Sequence, residues 1–456
     1  MNHDQIDTIV SLSTATPAAI GVIRLSGGKA KSALSSLFQP IGGGKLEEYS
    51  ERKLIYGTLL DQDGTPIDKV LATYSNAPNT YTGEDTAELH CHGSPMVIAI
   101  GLEALFAQGC RQSLRGEFTQ RSFLNGKLDL AQAEGVVDLI EATSPLAVHQ
   151  AVSQLGGALS KKIENTYQSL TTLLAHFCAV LDYPDEDIDP FGEETIRKTI
   201  TQEQTNLENL KQTWQRGRQV ASGIATAIVG LPNAGKSSLF NHLLGYERAI
   251  VTDRAGTTRD TLEGEITLGE HRLRLVDTAG IRESSDEIER LGVERSHEVL
   301  QSAELVLVVI DGSTPLVEEE RKLIQECQSE HTIILLNKVD IGNEIEDNEL
   351  KADKIIQISA KIGTGVNQLQ NEINNLFNTN SINHTDGILT NLRQVEGVSR
   401  ALACLEGALV ALESGLTADA ILTDVEGALE ALGQLTGRSV SADVTGELFA
   451  RFCVGK

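Results

Sequence analysis

Gly230-Leu-Pro-Asn-Ala-Gly-Lys-Ser237 carries the spacing Gly-x-x-x-x-Gly-Lys-Ser/Thr. It follows a short apolar run, Ile224-Ala-Thr-Ala-Ile-Val229, and precedes a helical pattern with Leu239, Phe240, Leu243 and Leu244. Strand, glycine-rich turn and helix in that order make a phosphate-binding loop. Its glycines let backbone N–H groups approach phosphate oxygens at a helix N-terminus. Lys236 brings charge to the β- and γ-phosphates, and the Ser237 hydroxyl can ligate Mg2+. Further strand candidates are Leu273–Val276, Leu305–Ile310, Thr332–Leu336 and Ile355–Ile358. They alternate with helical stretches, which predicts a parallel sheet.

Four more elements fall around these strand ends. Asp277-Thr-Ala-Gly280 ends one strand: Asp277 can hold Mg2+ through water, and the Gly280 N–H can sense the γ-phosphate. Thr258, in Gly256-Thr-Thr-Arg-Asp260, can complete the Mg2+ shell. Asn337-Lys-Val-Asp340 ends an apolar strand, and the Asp340 carboxylate can accept hydrogen bonds from the N1 and N2 edge of guanine. Adenine offers no such donors, and a site built to pair them rejects an analogue lacking them by about 10⁴-fold. Ser359-Ala-Lys361 buttresses the base. The order specifies GTP rather than ATP. Ile281 follows Gly280, where a water-orienting Gln is usual, so hydrolysis needs another group. Glu287 and Glu289 are candidates, although by composition alone both read as exposed loop acids. Arg254, Arg259 and Arg282 are candidate arginine fingers, each of which reads more simply as a surface residue.

The chain has 456 residues, room for about three domains at ~150 residues each. Apolar residues make up 40% and charged residues 22%, an ordinary globular composition. The net charge of −26 argues against a generic polyanion or membrane-surface binder. No apolar run approaches the ~20 residues of a membrane span. Residues 1–10 include Asp4 and Asp7 and do not read as a signal peptide. Six cysteines lie far apart without a Cys-x-x-Cys pair, the usage of reduced thiols. A soluble cytoplasmic multidomain protein is expected.

Composition shifts divide the chain in four. Residues 1–118 mix strand-like runs (Thr8–Leu12, Ile20–Leu25, Lys69–Tyr74) with one helix near Val97–Gln108, a small α+β domain. Residues 119–215 turn helical and include an acidic run, Asp182–Glu194, with seven carboxylates and no Lys or Arg, read as a solvated loop. Residues 216–380 form the α/β nucleotide domain. Residues 381–456 are helical again, rich in Ala and Leu, and too short to pack alone. They are expected to join 119–215, which makes the Ras-like α/β domain an insertion in a helical one. The fold class is multidomain, α+β followed by α/β. His90-Cys91-His92 reads as a strand that splays the two His away from Cys91, not as a metal site.

At this level the whole chain resembles the MnmE (TrmE) family of tRNA-uridine-modification GTPases. The resemblance rests on Thr80-Tyr-Thr-Gly-Glu-Asp85, Gly116-Glu-Phe118, Phe123-Leu-Asn-Gly-Lys-Leu-Asp-Leu-Ala-Gln-Ala-Glu134, Asp182-Tyr-Pro-Asp-Glu186, Pro232–Ser238, Gly256–Asp260 and Phe452-Cys-Val-Gly-Lys456. It implies a homodimer through the N-terminal domain and a tetrahydrofolate derivative, 5-formyl- or methylene-, bound near that interface. Arg24, Glu88 and Lys127 would contact the folate, with Lys456 nearby. It implies a GTP site drawn from Asn233, Ala234, Gly235, Lys236, Ser237 and Ser238, then Thr252, Asp253, Arg254, Ala255, Gly256, Thr257 and Thr258. Asp277, Thr278, Ala279 and Gly280, Asn337, Lys338 and Asp340, and Ser359, Ala360 and Lys361 complete it. Mg2+ falls to Ser237 and Thr258. K+ falls to Asn233 with the carbonyls of Thr252, Arg254 and Thr257, where its charge replaces an arginine finger. Glu289 matches the family's water-orienting carboxylate and ranks above Glu287. Cys453 matches a near-terminal cysteine with a catalytic or a packing role.

The function so implied is K+-dependent GTP hydrolysis coupled to tRNA modification. With a flavin-dependent partner of the MnmG type, in a heterotetramer or larger complex, the enzyme would use the folate one-carbon unit. It would add an aminomethyl-type group to C5 of the wobble uridine of certain tRNAs. The chain has no dinucleotide fingerprint, so flavin chemistry falls to the partner. The alternative is a GTP-driven ribosome or RNA assembly factor without substrate chemistry. A pure signalling switch is a third reading, and it leaves the N-terminal domain unexplained.

Overall fold

The computed structural model describes residues 7–182, 193–246, 263–277, 303–345, 350, 352–377, 386–438, 449, 452, 454 and 455. By internal packing the chain falls into two compact units, Met1–Val137 with Leu429–Lys456, and Asp138–Ala428. These divisions are coarser than the four-part reading above. They group the last residues with the N-terminal ones.

In the first unit, β1 (Ile9–Leu12), β2 (Ala18–Ser26), β3 (Phe38–Pro40), β4 (Ile55–Leu60), β5 (Pro66–Ser75), β6 (Thr86–Gly93) and β7 (Arg111–Gln112) form one sheet. Its order is β3-β4-β5-β6-β2-β1-β7, antiparallel except for the β1–β7 pair. Side chains alternate across a strand, and β6 shows the consequence. Ala87, Leu89 and Cys91 are buried, whereas Glu88 and His90 are half-buried and His92 is exposed. The buried face packs on α1 (Ala30–Leu37) and α2 (Pro95–Ala107) around Ile23, Leu25, Leu34, Leu59, Leu89 and Leu105. The opposite face carries Arg24, Glu88 and His90, all half-buried. A short helix, α3 (Glu117–Leu124), follows β7, and α4 (Leu130–Glu141) follows that.

In the second unit, β8 (Ile224–Val229), β9 (Glu263–Leu268), β10 (His271–Asp277), β11 (Leu305–Asp311), β12 (Thr332–Asn337) and β13 (Ile355–Gln357) form a sheet in the order β13-β12-β11-β8-β10-β9. All neighbours are parallel except the β9–β10 edge hairpin. The continuous apolar runs predicted for buried parallel strands are present: every residue of β8 is buried, as are Leu305–Ile310 of β11. The five strands expected from sequence correspond to β8, β10, β11, β12 and β13. The edge strand β9 is additional.

The same unit holds α5 (Pro145–Leu155), α6 (Ala158–Asp182), α7 (Glu193–Gln212), α8 (Trp214–Ser222) and the helix Leu392–Glu413, which packs on α7. Helix α8 runs straight into β8 through Gly223. At the other end of α8 the Leu389 N–H donates to Thr213 Oγ1 at 3.1 Å.

Candidate functional site

The phosphate loop joins β8 to α9 (Lys236–Tyr246), as its spelling predicts. Asn233 adopts φ +64, a left-handed conformation that Asn tolerates better than most residues. Gly235 has φ +99, and a Cβ there would stand 2.1 Å from Asn337 Nδ2. Only glycine lets the loop pass. The Lys236 ammonium donates to the Gly230 and Leu231 carbonyls at 2.9 Å each and so spans the loop. Ser237 is exposed in the first turn of α9.

The Asn337–Asp340 run is held from several sides. Asn337 is buried and joins two loops: its Nδ2 donates to the Ala234 carbonyl at 2.8 Å, and its Oδ1 accepts from the Ala360 N–H at 2.9 Å. Ser359, fully buried, donates its hydroxyl to Asp340 Oδ1 at 2.6 Å. That bond orients the carboxylate expected to read guanine. Lys338, at φ +68, donates to Asp311 Oδ2 at 2.6 Å. Burial works against the Asp311 charge, but Lys338 and the Ser313 hydroxyl and N–H outweigh it. Its carboxyl is therefore held below the usual carboxylate range. The structure thus gathers Asn233–Ser238, Asn337, Lys338, Asp340 and Ser359–Lys361 at one end of the parallel strands. Asp277 closes β10 opposite Ile228 of β8. Thr252–Thr258, Arg259, Thr278–Ile281, Arg282, Glu287, Glu289, Cys453 and Lys456 lie outside the described residues. Asp311 has no place in the motif reading. Its one signal is an acid closing an apolar strand just before Gly312-Ser313.

Two of the four N-terminal candidates, Arg24 and Glu88, share one face of the first unit's sheet, where both are half-buried. Arg24 and Glu88 are opposite each other on β2 and β6, and Arg24 Nε donates to Glu88 Oε1 at 3.0 Å. The Arg24 guanidinium lies over the Phe118 ring at 5.9 Å. Glu88 Oε2 lies 3.4 Å from His90 Nε2. Ser11 stands opposite Arg24 on β1. The chain end runs against that strand: Ser13 Oγ donates to the Gly455 carbonyl at 3.1 Å, and Val454 bridges Arg115. Phe449 and Phe452 pack with Ala133 and Phe123.

Lys127 borders the Thr80–Asp85 turn, with its Cε 3.3 Å from a Cβ built on Gly83. That turn is fastened to α3 and the residues after it. The Ser122 hydroxyl donates to the Tyr81 carbonyl, and Asn125 Nδ2 donates to the Thr82 carbonyl, both at 2.7 Å. Burial raises the Tyr81 phenol, against the lowering effect of the Thr119 hydroxyl and Arg24. Below the turn, buried Arg121 pairs with Glu84, Glu117 and Asp7. Arg121 was not singled out by sequence, because two of its partners, Asp7 and Glu84, lie far along the chain.

His92 pairs with Asp68 at 2.8 Å, and Cys91 is buried on the other face. Burial, with Asp68 nearby, pushes its thiol up to about 11. No group of His, Cys, Asp or Glu among the described residues is placed to hold a metal ion. No helix among them is long and apolar enough to cross a membrane.

Comparison with known proteins gives two family matches. The profile described as the MnmE helical domain matches residues 130–453, and that described as the GTP-binding protein TrmE N-terminus matches residues 8–127. A protein of Clostridioides difficile strain 630 described as tRNA modification GTPase MnmE is 39% identical over 99% of both chains. A protein of Streptococcus pyogenes serotype M28 with the same description is 40% identical over 99% of both chains. Among solved structures, the G domain of the T. maritima FeoB iron transporter is 27% identical and covers 33% of this chain and 96% of its own, with a TM-score of 0.27.

Proposed function

The chain belongs to the MnmE family of tRNA modification GTPases, and from that premise we propose a division of labour between its two candidate sites. It is a GTPase that acts in tRNA modification. We infer that GTP turnover in the α/β domain drives a rearrangement, while modification chemistry takes place at the N-terminal sheet face.

At the nucleotide site, water attacks the γ-phosphorus, the bond to the β–γ bridging oxygen breaks, and GDP and phosphate leave. Charge builds on the transferred oxygens, and fixed donors stabilise it. Backbone N–H groups of Asn233–Ser238 and the Lys236 ammonium supply those donors. Asp340, oriented by Ser359, reads the base. Ser237 fits Mg2+, since its hydroxyl is exposed beside the loop. Asn233 fits K+ as a short oxygen ligand on a left-handed turn. Thr252, Arg254 and Thr257 are proposed to complete that shell, Thr258 the Mg2+ shell, and Glu289 is proposed to orient the water.

For the N-terminal site the carrying observation is the Arg24–Glu88 pair, half-exposed on a sheet face that the chain end also reaches. A guanidinium and a carboxylate side by side complement the donors and acceptors of a pterin or a glutamate tail. Lys127 and Lys456 are proposed to add charge. The folate, when bound, supplies a one-carbon unit for C5 of the wobble uridine. The flavin-dependent MnmG-type partner, the homodimer and the cytoplasmic setting belong to the same proposal.

Titration calorimetry with 5-formyltetrahydrofolate tests this site. Saturable binding that Arg24→Ala abolishes is expected. No binding by a folded, GTP-hydrolysing chain overturns the reading and favours the assembly-factor alternative. Potassium is tested separately: equal GTPase rates in NaCl and KCl reject it.

A further inference from the structure

Asp311 closes β11, and both of its carboxylate oxygens are engaged. Oδ1 accepts the Ser313 hydroxyl at 2.6 Å and the Ser313 N–H at 3.1 Å, which fixes the plane of the group. Oδ2 accepts the Lys338 ammonium at 2.6 Å. Among the described residues this is the ammonium's one partner. The backbone reinforces the tie. Asp311 is opposite Asn337 in the β11–β12 register, and the Gly312 N–H donates to the Asn337 carbonyl at 2.9 Å. The Glu344 N–H donates in turn to the Gly312 carbonyl at 2.8 Å.

Lys338 needs such a tie more than a surface lysine does. Its φ of +68 lies where a long L side chain is seldom found, so the backbone there is strained. The turn it forms lies between two residues that other elements already hold, Asn337 and Asp340. We propose that Asp311 is a positioning residue for guanine-nucleotide binding. Its carboxylate holds Lys338, and with it the left-handed turn, in the conformation that presents Asp340 to the base. Asp311 touches no reacting group. It therefore acts on affinity and not on the chemical step.

A half-exposed ion pair usually contributes little. Here the two side chains keep 29% and 19% of their surface, so the simple expectation is a pair of no consequence. What separates the two cases is the response of binding. Asp311→Asn, made in the full chain, keeps an acceptor for Ser313 and removes the charge that holds Lys338. KM for GTP and Kd for GDP are expected to rise about tenfold together. Turnover at saturating GTP is expected to stay within about twofold, and preference for GTP over xanthosine triphosphate to stay unchanged. Lys338→Met is expected to give the same loss, and the double variant no more than either alone. Thermal unfolding without nucleotide checks that each variant folds. An unchanged KM, an additive double variant or a shift toward xanthosine triphosphate overturns the proposal.

Discussion

Gly235→Ala is the sharpest test of the nucleotide site, because the cost follows from two neighbours. The new methyl group would stand 2.1 Å from Asn337 Nδ2 and 3.4 Å from its Cγ. The amide must move, and it is buried and bonded through both atoms, to Ala234 and to Ala360. Two hydrogen bonds are lost at about 1 kcal/mol each, with a further cost for the groups left unpaired. Holding alanine at φ +99 adds about 1–2 kcal/mol. The total, roughly 4 kcal/mol, corresponds to about a 10³-fold loss if nucleotide binding needs both loops in place. Displacement of a fluorescent GDP analogue measures it. Removing the obstacle supplies the control. In Asn337→Ala the colliding amide is gone, so adding Gly235→Ala is expected to cost little more than the strain. Near-normal GDP binding by Gly235→Ala, or full additivity with Asn337→Ala, refutes the reasoning.

Three further outcomes are expected. Burial lowers the His271 pKa from 6.5 to about 4, so its folded form is neutral and the unfolded chain takes a proton below pH 6.5. Its contribution is complete above that pH and falls by about 2 kcal/mol at pH 5. Denaturant unfolding at pH 7 and pH 5 should show a smaller loss in His271→Phe, and an equal loss rejects the assignment. Gly217→Ala, which in an ordinary helix gains about 1 kcal/mol, is expected to destabilise, since its Cβ would stand 1.8 Å from the Leu389 carbonyl oxygen; a raised melting temperature counts against that close approach. Arg121→Met leaves Glu84 without its guanidinium in a buried cluster and is expected to cost about 3–5 kcal/mol. Arg111→Met should cost less, because that side chain is 41% exposed and Arg121 still holds the same acids; equal costs would contradict the ranking.

The nucleotide site was legible from the sequence because its requirements are local. Gly235 and Lys236 are fixed by the shape of one turn, and Asp340 by its place just after an apolar strand. The clamps around them are not local. Asp311 and Lys338 lie 27 residues apart, and only the register of two parallel strands brings them together. The N-terminal residues show the same limit. Arg24 and Glu88 are 64 apart, and no spacing rule pairs them. Resemblance to a family named both, but the ion pair they form needed the β2–β6 register.

The clamps also bear on how the chain binds nucleotide at all. A net charge of −26 gives an average field that opposes a triphosphate. Long-range attraction therefore cannot account for affinity, and the local donors must. Flexible donors would lose much of their value in being ordered on binding. In this site the ordering is already built into the fold. Asn337 fastens the phosphate loop to Ala360, Ser359 aims Asp340, and Asp311 holds Lys338. Three elements each fix one part of the same four-residue run. Loss of any one clamp should therefore weaken GTP and GDP alike. Loss of Asp340 itself should change which base is accepted. A variant set that separates those two effects separates the geometry of the site from its chemistry.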